Sequence, residues 1–235
     1  MNVLVVGNGQ MGRVVYQALI ERGDSVTIVP NLNRPTEGNF DVLIDFSHPD
    51  GIESIVAFSR VKEIPAVIAT TGYHDAQFAL IRKLSKEVPV LYSGNYSLGV
   101  ILMERLVREA AVVLGSDFDI EIIEKHHHHK IDAPSGTAKM LLNAANEQLD
   151  YQVIYGREGE CRRNEKEIAV HTVRGGSIVG EHEVLFAGSD EILSIKHEAL
   201  SKAIFAKGAI KGAEWLIDQA VQLYNMEDVL FGPRT

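Results

Sequence analysis

The chain has 235 residues, 46% of them hydrophobic and 23% charged, enough to bury one large or two modest cores. A formal net charge of -9 without any basic arm or stripe argues against nucleic acid and anionic membrane surfaces as partners. No run approaches the ~20 consecutive apolar residues of a membrane span, Val3 to Val6 lacks the basic lead of a secretory signal, and a single cysteine, Cys161, suits a reducing compartment, so the expected setting is the cytoplasm.

The first half alternates short β-branched runs with longer amphipathic stretches, the pattern of a parallel sheet flanked by helices. Strands are predicted from Asn2 to Val6, Ser25 to Val29, Val42 to Phe46, Ala66 to Ala69 and Val90 to Tyr92. Helices are predicted from Met11 to Glu21, Gly51 to Lys62 and Asp75 to Lys86, which gives a doubly wound, Rossmann-like α/β order. Past Ser97 the texture changes. A helix from Leu98 to Val113 leads into a strand from Phe118 to Glu124, where Asp119 and Glu121 alternate with Ile120 and Ile122. A helix from Thr137 to Gln148 is followed by strands from Glu167 to Val173, Glu183 to Ala187 and Ile192 to Lys196, with Gly175-Gly176 marking a turn. One long helix, Lys202 to Tyr224, is expected to return to the first domain. The predicted division is a dinucleotide-binding domain of residues 1–96 plus 204–235 and a second, α+β domain of residues 97–203.

Gly7-Asn8-Gly9-Gln10-Met11-Gly12 follows the first strand and opens a helix, the context in which G-x-G-x-x-G reads as a dinucleotide loop. The first glycine allows the tight turn, the second admits a pyrophosphate, and the third lets helix and strand pack. Glycines that merely permit a tight turn are the plainer reading. An acidic residue after the second strand would grip the adenosine ribose of NAD, but here Val29 is followed by Pro30-Asn31-Leu32-Asn33-Arg34. Arg34 and the two asparagines could accept a 2′-phosphate, although Arg34 also reads as a solvated loop residue. The cofactor expected is NADPH or NADH.

Lys125 to Lys130 form a polar stretch before Asp132-Ala133-Pro134-Ser135-Gly136-Thr137. Ser135 reads as an N-cap, which turns the amides of Gly136 and Thr137 toward a nearby carboxylate. With Lys130 and the imidazoles this makes a pocket that can bind an acid and protonate it. Four consecutive histidines also suggest an expression tag or a metal site. A tag is terminal, and side chains along an extended segment alternate sides, so the run does not converge on one metal and none is expected. His74, His171, His182 and His197 read as surface or satisfied histidines, one of the last three being a candidate to line the pocket.

The whole stretch Glu124-Lys125-His126-His127-His128-His129-Lys130-Ile131-Asp132-Ala133-Pro134-Ser135-Gly136-Thr137-Ala138 resembles the signature of the 4-hydroxy-tetrahydrodipicolinate (dihydrodipicolinate) reductases. Asp45-Phe46-Ser47-His48-Pro49, Ala69-Thr70-Thr71-Gly72, Ser93-Gly94-Asn95-Tyr96-Ser97, Val173-Arg174-Gly175-Gly176 and Val179-Gly180-Glu181-His182 follow the family's order. The resemblance implies NAD(P)H-dependent reduction of a cyclic dicarboxylate in diaminopimelate and lysine biosynthesis. It implies that His126 donates and accepts a proton, that Lys130 donates one, and that His127, Gly136 and Thr137 touch substrate. Cofactor contacts would fall on Gly7, Asn8, Gly9, Gln10, Met11, Gly12, on Ala69, Thr70, Thr71, and on Ser93, Gly94, Asn95, Tyr96. A homotetramer assembled through the second domain's sheet is implied too. Three departures stand out: a glycine loop shorter by one residue with Gln10 where arginine is common, Ala69 in place of a glycine, and a short Pro30 to Asn39 region. A silent redox sensor and a different Rossmann dehydrogenase are the rival readings, since this fold hosts many chemistries.

Overall fold

A computed structural model of the chain describes residues 1–233. In chain order the elements are β1 (Asn2–Val6), α1 (Gln10–Glu21), β2 (Ser25–Val29), β3 (Val42–Asp45), a 3-10 turn (Pro49–Gly51), α2 (Ile52–Lys62), β4 (Ala66–Ile68), α3 (Asp75–Leu84) and β5 (Val90–Tyr92). They continue with α4 (Leu98–Leu114), β6 (Asp119–His126), α5 (Gly136–Asn146), β7 (Gln152–Tyr155), β8 (Glu167–Arg174), β9 (Glu181–Ala187) and β10 (Ile192–Glu198). Last come α6 (Ala203–Leu216), β11 (Leu223–Tyr224) and α7 (Met226–Phe231). The chain forms two compact units, one of Met1–Leu98 with the chain from Lys202 onward, the other of Gly99–Ser201.

The first unit is Rossmann-like, built on a parallel six-stranded sheet in the order β11-β5-β4-β3-β1-β2. Val3, Leu4, Val5 and Val6 are all buried, the continuous apolar run of a strand covered on both faces. Leu4, Val6, Leu43, Ala66, Ile68 and Val90 pack in clusters with residues of α2 and α3. Alternation turns Val67 and Leu91 to the other face, where α6 lies against β3, β4 and β5 and also against α1. Small residues let α6 come close: a β-carbon at Gly208 would stand 1.6 Å from the Tyr96 carbonyl oxygen.

The second unit holds a mixed five-stranded sheet, β10-β9-β6-β8-β7, with β6 parallel to β8 and antiparallel to β9. On one face Ile120, Ile122, Ile168, Val170, Val184 and Phe186 meet Met103 and Val107 of α4 and Leu141 and Ala145 of α5 in a single apolar cluster. Among the described residues no helix is long and apolar enough to cross a membrane.

Besides shifts of one or two residues at other element ends, three departures from the sequence expectations bear on the fold and the site. The strand expected to stop at Glu124 continues to His126, because Lys125 and His126 keep pairing with Val173 and Arg174 of β8. The helix expected from Lys202 to Tyr224 ends at Leu216, and the chain turns so that Leu223 and Tyr224 pair with Val90 and Leu91 of β5. Strand β7, not anticipated, is held by its pairing with β8.

Candidate active site

Within the first unit, every loop expected to hold a dinucleotide leaves the carboxyl end of a parallel strand. The sheet order reverses at β1, and the crevice at such a reversal is where open α/β sheets bind ligands. Gly7 adopts φ +107°, and a β-carbon there would lie 2.3 Å from the Phe46 carbonyl oxygen. At Gly12 a β-carbon would lie 1.7 Å from the Gly7 carbonyl oxygen, so helix and strand touch. Gly9, the N-cap of α1, has no atom within 4 Å of its β-carbon position. Two of the glycines are therefore required by the protein's own packing, while the middle one faces open space.

A groove of about 490 Å³ runs over this loop, lined by Gly7, Asn8 and Gly9, by Pro30, Asn31 and Asn33 after β2, and by Phe46 to His48 with Asp50 and Gly51 after β3. Gln10 is exposed and accepts a hydrogen bond from Lys202 Nζ at 2.8 Å; Met11 is half-buried. Arg34 is exposed and lies outside the groove's lining. Ala69 donates its N–H to the Asp45 carbonyl, Thr70 is buried and Thr71 exposed. After β5, Ser93, Asn95 and Tyr96 are buried and Gly94 is exposed. The Tyr96 hydroxyl sits 2.9 Å from the Ile68 carbonyl oxygen, and burial pushes its pKa well up.

Asp45, given no role by sequence reasoning, ends β3 fully buried. It accepts hydrogen bonds from the Ser47 amide at 3.0 Å and the Ser47 hydroxyl at 2.5 Å. Burial raises its pKa against these donors. The carboxylate thus fixes the turn that forms the groove's far wall.

The second unit gathers the proton-transfer candidates at the end of β6. Its buried face reads Ile120, Ile122, Glu124, His126, so the apolar alternation passes into an ionic one without changing register. Lys125 falls on the opposite face and pairs with Glu181. The polar stretch from Lys125 to Lys130 is therefore divided at its start between the two faces of the sheet.

Glu124 is fully buried and accepts from Arg174 Nη1 and Nη2, each at 2.8 Å, and from the Ser135 amide at 2.9 Å. His126 Nδ1 lies 2.6 Å from its other oxygen. Burial works to raise the Glu124 pKa, but Arg174, His126 and Ser135 together bring it below the ordinary glutamate value. Ser135 caps α5, its hydroxyl accepting from the Ala138 amide at 3.1 Å. The same hydroxyl lies 2.9 Å from His182 Nε2, and burial followed by the nearby His126 charge pushes the His182 pKa down to about 4. The next helical positions are Gly136, exposed, and Thr137, half-buried.

His127 is half-buried, and His128 and His129 are exposed. Lys130 Nζ lies 2.7 Å from Asp132 Oδ1, a pairing that lowers the Asp132 pKa. Among the described residues no group of three or more His, Cys, Asp or Glu side chains is placed to hold a metal.

Sequence reasoning quoted Glu124 and Arg174 only within motifs, and His182 also as one of three histidines that could line the pocket. For Glu124 the signal is phase: a glutamate two residues after Ile122 and two before His126 shares their buried face once the strand runs on to His126. A buried carboxylate requires donors.

The family model described as "Dihydrodipicolinate reductase, N-terminus" matches residues 24–96, and "Dihydrodipicolinate reductase, C-terminus" matches residues 99–230. A 4-hydroxy-tetrahydrodipicolinate reductase of Clostridium novyi is 39% identical over 240 residues, covering 95% of each chain. One from Brachyspira hyodysenteriae is 43% identical over 232 residues, covering 98% of this chain and all of its own. Among solved structures, "Dipicolinate bound Dihydrodipicolinate reductase from Paenisporosarcina sp. TG-14" superposes with a TM-score of 0.77 at 20% identity, covering 96% of this chain and 97% of that one.

Proposed function

Since the chain belongs to the 4-hydroxy-tetrahydrodipicolinate reductase family, we propose that its first unit holds the nicotinamide dinucleotide at the glycine loop, and that the end of β6, the loop after it and the start of α5 hold the substrate and move the proton. The family's reaction is the NAD(P)H-dependent reduction of 4-hydroxy-tetrahydrodipicolinate to tetrahydrodipicolinate in the diaminopimelate and lysine pathway. A hydroxyl is replaced by hydrogen, so the net conversion takes up one hydride and one proton and releases water. The dinucleotide, when bound, supplies the hydride.

The residues present fit that cofactor. Gly9 leaves its approach open, and the first turn of α1 carries no acidic side chain and no side-chain cap, so its amides suit a pyrophosphate. Asn31 and Asn33 stand in the groove's lining where a carboxylate would repel a 2′-phosphate. The reading is therefore acceptance of both NADPH and NADH, with Arg34 as a phosphate partner. Ala69 to Thr71 and Ser93 to Tyr96 complete the cofactor side.

His127, Gly136 and Thr137 take the substrate's carboxylates, His126 donates and accepts the proton, and Lys130 donates one. A dicarboxylate ligand agrees with the dipicolinate named in the Paenisporosarcina structure. One observation carries the reading: a single carboxylate, Glu124, binds both His126 and the amide that opens α5, so proton carrier and anion site are neighbours. The single cysteine supports a cytoplasmic enzyme, and family likeness supports a homotetramer built through the second unit's sheet.

The test supplies aspartate semialdehyde, pyruvate and the upstream synthase, then follows oxidation of NADH and NADPH separately. Both should be consumed faster than in the enzyme-free control. Consumption of neither overturns the proposal.

A further inference from the structure

We infer that Glu124 is a positioning residue whose carboxylate, clamped by Arg174, holds His126 with its proton on Nδ1 and fixes that ring relative to the start of α5. The inference rests on the proton-transfer role given to His126 above.

The cross-strand layers show how the sequence builds this arrangement. Ile120 stands opposite Ile168 and Phe186, Ile122 opposite Val170 and Val184, Glu124 opposite Thr172 and His182, and His126 opposite Arg174. The first two layers are apolar core. The next two place a carboxylate, a guanidinium and two imidazoles at the edge of that core, where each polar atom needs a partner.

A carboxylate offers roughly four acceptor positions. At Glu124 they face Arg174 Nη1 and Nη2, the Ser135 amide and His126 Nδ1. Arg174 and the amide can only donate, and the guanidinium pair keeps the carboxylate ionised. At 2.6 Å from an ionised oxygen, Nδ1 must be the donor. Nε2 is then the atom that exchanges a proton. A β-carbon at Gly180 would sit 3.1 Å from Nε2, so the absence of a side chain there keeps that atom uncrowded.

The clamp extends to the substrate loop. Arg174 Nη2 also donates to the Asp132 carbonyl at 2.6 Å, and Ser135 is held by both Glu124 and His182. Proton carrier, the loop bearing Lys130 and the first turn of α5 are thereby tied to one ion pair. Such an arrangement fixes both tautomer and orientation. The charged and titratable groups around the His126 ring are Glu124 on its own strand, Arg174 on β8, and His182 on β9 with ring centroids 5.1 Å apart.

The experiment compares Glu124→Gln, Glu124→Asp and His126→Gln with the wild type, and records the histidine tautomers of the ¹⁵N-labelled wild-type enzyme by NMR. The His126 signal is assigned by its loss in His126→Gln. The wild type should show the proton on Nδ1. Glu124→Gln should lose about 10²-fold in kcat, with dinucleotide affinity unchanged within about twofold and the neutral His126 ring no longer held with its proton on Nδ1. Glu124→Asp, which keeps the charge at shorter reach, should recover part of the rate and of the Nδ1 tautomer. A neutral wild-type His126 that carries its proton on Nε2 rather than Nδ1 overturns the inference, whether or not the variants fold. So does Glu124→Gln with wild-type kcat and tautomer while His126→Gln is inactive. Full activity in His126→Gln instead removes the proton-transfer role on which the inference stands.

Discussion

The α-carbon of Gly12 rests so closely on the Gly7 carbonyl that a methyl group would stand 1.7 Å from its oxygen, while the same group on Gly9 would meet nothing within 4 Å. The two glycines of one loop should therefore fail in different ways. Gly12→Ala overpacks a strand-helix contact and is expected to cost about 3 kcal/mol or more of stability. Gly9→Ala should melt as the wild type does but bind dinucleotide about tenfold more weakly, since its methyl stands where the pyrophosphate approaches. Thermal melts and a dinucleotide fluorescence titration separate the two; equal losses in both measurements would refute the division of roles.

His126→Gln and Lys130→Met should lower kcat by about 10² to 10⁴ with NADPH affinity held within about twofold. Loss of cofactor binding in either variant would contradict the assigned roles. Asp132→Asn, which releases Lys130 from a half-exposed ion pair of 2.7 Å, should change stability by less than about 1 kcal/mol.

His182 gives the protein an acid-sensitive contribution. Its pKa is about 4 in the folded protein against 6.5 for the ordinary side chain, so between those values the unfolded chain binds a proton that the folded one excludes. The contribution is fully present above pH 6.5 and is lost as pH falls toward 4, amounting to about 3 kcal/mol in all. His197 is lowered by burial with the same sign, and Glu124 adds a loss of the same sign at still lower pH. Chemical denaturation at a series of pH values should show a shallower slope between pH 4 and 6.5 for His182→Gln than for the wild type. Parallel slopes would show that His182 does not titrate across that range.

Lys202 lends a cation to the first turn of α1 through Gln10. Lys202→Ala is expected to raise the dinucleotide dissociation constant a few-fold at low ionic strength, with the difference fading in about 0.5 M salt as screening removes it. An effect that is independent of salt would point to packing rather than charge.

Much of the first unit was legible because strands covered on both faces must be continuous runs such as Val3 to Val6, bounded by turn residues. Leu223–Tyr224 was not, because nothing in Ile217 to Gln222 breaks a helix. The strand exists through pairing with β5 and through Tyr224, whose ring meets Trp215 edge-on at 5.0 Å. Strand β7 was missed for a similar reason: Gln152 and Tyr155 are exposed, and its place comes from β8. At the candidate site the residue types at His126, Lys130 and Ser135 could be read from their chemistry. That Arg174 and His182 meet Glu124 could not, because the three lie on three strands whose register is a property of the folded sheet.

The sheet that carries the glycine loop draws one of its two edge strands, and a helix covering one of its faces, from residues 203 to 224, while residues 99 to 201 make the other unit by themselves. As the polypeptide leaves the ribosome, the half with β6 has all of its own pieces before the nucleotide half does. Leu91 and its neighbours on that face wait uncovered until α6 emerges. A nascent chain halted near residue 201 would therefore carry all the strands of the second unit joined to an open, sticky sheet, a form exposed to chaperones and proteases.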